Sequence, residues 1–117
     1  MEPIYDPDGR TLGWLTDDVI YDINGQPRAF LDSDNIVSYT GMHIGVLDRG
    51  FLRDHYGNAV AFLSGASGGP LPPLPEIPPI PPVPALAPVP SVPPVPPVPA
   101  LPSLSWSDLS WEEFLES

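Results

Sequence analysis

Four glycines, Gly9, Gly25, Gly41 and Gly57, recur at a spacing of 16 residues. Other columns keep the same interval. Four residues after each glycine comes a small residue (Gly13, Ala29, Gly45, Ala61), then Trp14, Phe30, Val46 and Phe62, then Leu15, Leu31, Leu47 and Leu63. Five residues before each glycine stands Ile4, Ile20, Ile36 or Leu52. Asp6, Asp22, Ser38 and Asp54 fill one further column. A repeat this short is one supersecondary unit that cannot bury an apolar face alone, so the four copies must pack on one another.

Each copy reads as a β-hairpin. Short runs such as "VIYD" and "PRAFL" flank "DPDG", "DING", "SYTG" and "DHYG". Asp and Asn bond locally to the backbone, and glycine supplies positive φ, which is turn chemistry. The links "TDD", "DSDN" and "DRG" join one hairpin to the next. The expectation is an all-β meander of about eight short strands over residues 1–64. A lone hairpin is marginal in water, and closing four around a pseudo-four-fold axis also removes the sheet edges. The Trp14 column alternates with the small-residue column, so the two face opposite sides of the sheet. Sequence alone leaves open which side points to the axis.

Beyond the head the material changes. The chain holds 20 prolines, and 17 lie between Pro70 and Pro102. Residues 65–70 form a Gly/Ser joint. Over residues 71–103 a large aliphatic residue occupies every third position. The series is Leu71, Leu74, Ile77, Ile80, Val83, Leu86, Val89, Val92, Val95, Val98 and Leu101, and Leu104 extends it. Proline density predicts polyproline II, on which a period of three is a single straight stripe; as a straight rod the segment would reach on the order of 100 Å. Each aliphatic side chain contributes about 1.5–3 kcal/mol when fully buried. The expected cover for the stripe is a second copy of the chain. A stiff spacer left by repeat expansion and a ligand for a polyproline-reading domain are the competing readings.

Residues 104–117 repeat Leu-Ser-Trp. Ser110 and Glu113 make a capping box, and Trp111, Phe114 and Leu115 follow helical spacing. Two helical turns do not hold alone, so Trp106, Leu109, Trp111, Phe114 and Leu115 are docking residues, for the head or for a partner.

The repeats "IYDPDGRTLGWLTDDVIYDINGQPRAFL", the linker "GNAVAFLSGASGGPL" and the ending "LSWSDLSWEEFL" resemble the bacterial four-fold beta flower family. The resemblance implies a small β fold with four-fold pseudosymmetry. In that family the middle carries basic isoleucine-containing repeats where this chain has prolines. The resemblance implies no catalytic residues.

Net charge is −11, with no Lys and only Arg10, Arg28, Arg49 and Arg53 as basic residues. Phosphate neutralisation dominates nucleic-acid affinity, so nucleic acid is excluded as a partner. No transmembrane run or signal peptide is legible, so the compartment is cytoplasmic by default or reached by a route not visible in the sequence. Asp6-x-Asp8-Gly9 and Asp22-x-Asn24-Gly25 look like the opening of an EF-hand loop, yet Asp17 and Ser33 stand where the bidentate Glu is required. His43 and His55 fall in different columns. No motif for a nucleophile, phosphate loop, metal or cofactor is present. The functional expectation is a non-enzymatic protein that forms homo-oligomers or a filament through the stripe. The alternative is a monomeric binding module whose head takes an unknown ligand.

Overall fold

The computed structural model describes residues 1–116. Eight strands run in order: β1 (Glu2–Tyr5), β2 (Thr11–Thr16), β3 (Val19–Asp22), β4 (Pro27–Asp32), β5 (Asn35–Ser38), β6 (His43–Asp48), β7 (Phe51–Arg53) and β8 (Ala59–Phe62). Each pairs antiparallel with the next, and β1 pairs with β8, which closes a barrel. One helix, α1 (Trp111–Glu116), follows near the end of the chain.

The register explains the repeat. Ile4 lies opposite Gly13, Ile20 opposite Ala29, Ile36 opposite Gly45 and Leu52 opposite Ala61. Opposed residues of an antiparallel pair share a face. That face is the interior: Ile4, Ile20, Ile36 and Leu52 are all buried in one apolar cluster with Ala29 and Ala61. At Gly13 and Gly45 a Cβ would strike the carbonyl of Tyr21 or Arg53 on the next strand, so the column is small where neighbouring backbones approach closely. Leu15, Leu31 and Leu47 pack against this core half-buried, and Leu63 is buried in it. Trp14, Phe30, Val46 and Phe62 take the outer face, which settles the orientation.

A β-bulge follows each of these pairs, between Ile4/Tyr5, Ile20/Tyr21, Ile36/Val37 and Leu52/Arg53. It adds one residue to the even strand and turns Leu12, Ile44 and Val60 toward the core as well. The tight connections are the links rather than the glycine loops. β2–β3, β4–β5 and β6–β7 each turn through two residues, with positive φ at Asp17, Asp18, Ser33, Arg49 and Gly50. The glycine loops are longer and are organised by an Asx turn. Asp6 Oδ1 accepts from the amides of Asp8 and Arg10, and Asp22 and Asp54 repeat the pattern. Ser38 Oγ takes that role in the third copy, accepting from the Met42 amide.

The proline-rich segment does not project as a straight rod. The whole molecule spans 36 × 35 × 21 Å, far short of the length of a straight rod. The segment instead passes each glycine loop in turn. Glu76 N–H donates to Gly9 O, Ala85 N–H to Gly25 O and Ser103 N–H to Gly57 O. Ser91 Oγ donates to Ser38 O beside the third loop. The reason is backbone chemistry: the loop carbonyls need donors, and residues that are neither proline nor part of the stripe, Glu76, Ala85, Ser91 and Ser103, supply them.

Candidate functional site

Two devices fasten the segment and the chain end to the barrel, and each uses one of the four arginines. Arg53 is 1% exposed. Its Nη1 donates to Gly57 O at 2.6 Å and Ser103 O at 2.9 Å, and its Nη2 to Gly68 O at 3.1 Å. Gly68 precedes the proline-rich segment and Ser103 ends it, so one guanidinium clasps both ends of the belt. Its Nε lies 3.4 Å from Asp48 Oδ2. Burial pulls this guanidinium below the usual arginine value, and the Asp48 charge opposes that pull.

The second device is α1. Ser110 Oγ accepts from the Glu113 amide, and Glu113 Oε1 accepts from the Ser110 amide, which is the capping box. Phe114 and Leu115 are buried in the barrel's own core. A Cβ added at Gly45 would strike the Arg53 carbonyl on the next strand and would also stand 2.9 Å from the Phe114 ring, so the strand approach requires glycine there and the plug benefits from it. Arg28 occupies the bulge column that otherwise holds Leu12, Ile44 and Val60. It makes a bidentate pair with Glu112, at 2.9 and 2.7 Å. One charge in an otherwise apolar ring fixes which way the helix lies across a nearly four-fold mouth.

Trp106 packs edge-on to Phe51 at 6.1 Å and beside Phe62 at 6.0 Å. Its backbone neighbours bridge Ala59: Ala59 N–H donates to Ser105 O, and Ser107 N–H to Ala59 O. Trp111 and Leu109 are half-buried. Trp106, Trp111, Phe114 and Leu115 thus pack on this chain's own head. The twelve stripe residues do not: every one of them, Leu71 through Leu104, is 75–98% exposed.

A family model for the 4-fold beta flower protein matches residues 2–115. The chain belongs to that family. No curated protein and no solved structure gave a match.

The four petals of this beta flower are not equal. Trp14, Phe30 and Phe62 are 1%, 5% and 2% exposed on the outer face, while Val46 is half-buried. Gly9, Gly25 and Gly57 are buried; Gly41 is not. A Cβ on Gly9 or Gly57 would strike the carbonyl of Leu74 or Leu101, whereas at Gly41 the nearest atom is Ser91 Oγ at 3.8 Å. The segment is therefore lifted off the third petal. Two cavities of about 250 and 450 Å³ lie there, both lined by Val46, Pro97, Pro99 and Ala100. His43 and His55 border the smaller one.

The two imidazoles stack at 5.2 Å, and His43 Nδ1 lies 3.0 Å from His55 Nε2. His43 Nε2 meets Asn35 Oδ1 at 2.9 Å, so in neutral form His43 carries its proton on Nε2 and accepts from His55. Burial and then the neighbouring His55 hold His43 below the usual histidine value. Among the described residues no three His, Asp or Glu side chains converge to hold a metal ion. No helix among them is long and apolar enough to cross a membrane.

Arg28 and Arg53 are anchoring residues that the repeat columns do not announce as such. A signal was present: each is the lone charge in a column of apolar or aromatic residues, Leu12/Arg28/Ile44/Val60 and Tyr5/Tyr21/Val37/Arg53.

Proposed function

We infer that this beta flower is a non-enzymatic assembly protein whose proline-rich belt presents an apolar edge to other copies of itself. The observation that carries this is the exposure of all twelve stripe residues, while every half-buried residue of the belt falls on the other two positions of the triplet. Head contacts and the stripe thus use different faces of the same segment. The belt runs in polyproline II turns of three residues, bent around the barrel, and its anchors agree with that: Glu76 and Ala85 are nine residues apart, three such turns. Monomeric proteins rarely leave a contiguous apolar surface this extensive uncovered. Because the stripe follows the belt past all four loops, a contact that does not close on itself would propagate as a filament.

The experiment is light scattering coupled to size exclusion on the full chain and on a variant with Val89, Val92, Val95 and Val98 changed to Ser. These four side chains are 89–95% exposed, so the head keeps its packing. A defined multimer or filament for the wild type and a monomer for the variant is the expected result. A monomeric wild type at high micromolar concentration overturns the reading. Truncation before the belt is a poorer test, since it also strips Phe114 and Leu115 from the core.

A further inference from the structure

We propose that the gap at Val46, between the third petal and the proline belt, is a binding site for a small aromatic amine. Its ring takes the place of the ring absent from this petal, and its ammonium faces Asp34.

The repeat itself supplies the argument for a ring. Three of the four equivalent positions hold Trp14, Phe30 and Phe62, and all three are buried. In the first petal the indole N–H of Trp14 points to the Ile23 carbonyl at 3.4 Å, nine residues on. In the second, Phe30 packs on Tyr39, again nine residues on, at 5.3 Å. The third petal offers Val46 and, nine residues on, His55. His55 stacks on His43 there, and the Val46 position itself supplies no ring. The larger of the cavities flanking Val46, about 450 Å³, has the size of a small-ligand pocket.

The lining favours a donor-bearing, cationic molecule. Prolines 96, 97, 99 and 102 line the larger cavity and have carbonyls but no N–H to offer. Asp34 and Asp48 line it too, and Asp54 lines the smaller one. The cation at the site is Arg53, whose Nη atoms are committed to Gly57, Ser103 and Gly68 and whose Nε faces Asp48. Asp54 is engaged by its own turn and by Ser107. Asp34 is exposed at the rim, placed to meet an ammonium. A chain of net charge −11 repels an anionic counterpart of the same ring.

The test is calorimetric titration of the full chain with tryptamine, indole and indole-3-acetate, with circular dichroism melts alongside. Tryptamine is expected to bind and to raise the melting temperature, at least about tenfold tighter than indole-3-acetate. Val46→Phe fills the gap and is expected to abolish tryptamine binding while the melting temperature holds or rises. Asp34→Asn, at an exposed position, keeps the fold and is expected to bring tryptamine down to the affinity of indole. No binding of tryptamine at millimolar concentration overturns the proposal. So does undiminished binding by Val46→Phe. Equal binding of indole-3-acetate overturns the amine assignment.

Discussion

Arg53 shows how much one residue can hold in a chain with little core to spare. Its guanidinium is buried and donates to three carbonyls from three separate segments. Arginine suits this because its planar fork presents several fixed donors at once, while lysine offers a single charge on a flexible stem. Replacing Arg53 by Met leaves the Gly57, Ser103 and Gly68 carbonyls without that donor and Asp48 without its buried partner. We expect a loss of about 3–5 kcal/mol in urea unfolding, together with faster proteolysis of the proline-rich segment. Arg53→Lys should recover only part of either. A cost below about 1 kcal/mol for Arg53→Met would mean that the belt is held elsewhere. The glycine columns were legible because positive φ restricts residue choice so strongly. Arg53 was not, because sequence shows an arginine's charge but not the three backbone oxygens that gather around it.

At the scale of elements, the hairpins were readable and the destination of the last one was not. Period-two alternation and turn residues specify strands locally, and the 16-residue interval carries them into a closed barrel. The interior assignment waited on register, since either face of each strand offered an apolar ring. The helix was legible from Ser110, Glu113 and its apolar spacing, but a six-residue helix gives no hint of what it plugs. Its hold is partly ionic. Arg28 holds the Glu112 carboxyl below the usual carboxylate range, and the capping bonds to Ser110 do the same for Glu113. A folded-state value below the unfolded one contributes support that is full above the ordinary glutamate value of about 4.3 and is lost as pH falls through the folded value. Acid should therefore loosen α1 before the barrel opens. The near-ultraviolet dichroism of Trp111 should fade below pH about 4.3 while the far-ultraviolet β signal persists. Glu112→Gln should show the weakened near-ultraviolet signal already at neutral pH. Coincident loss of both signals in the wild type would show that the helix and barrel are one cooperative unit.

For the whole molecule, the belt and the barrel carry matched repeats of different length, and the mismatch at one petal organises the rest. The barrel advances 16 residues per petal and the belt nine. Donors fall at Glu76, Ala85 and Ser103. The fourth member of that series is position 94, which is Pro94 and has no N–H to give to Gly41. That missing donor coincides with the petal where Val46 replaces a ring and the belt stands off. Pro94→Ala restores the N–H. The new hydrogen bond would add about 0.5–1.5 kcal/mol, and the freed backbone would cost about 0.4–1 kcal/mol through the unfolded state. The two nearly cancel, so the melting temperature is the wrong readout. Hydrogen exchange at position 94 of the Pro94→Ala variant is the right one. The amide introduced there should exchange at least about tenfold more slowly than in an unstructured peptide, comparably to the hydrogen-bonded Ala85 amide in the same experiment. A tighter belt should also narrow the space over Val46 and weaken tryptamine binding. Free exchange at position 94 would mean that the nine-residue spacing ends at the second petal and that the belt spans the third without a register of its own.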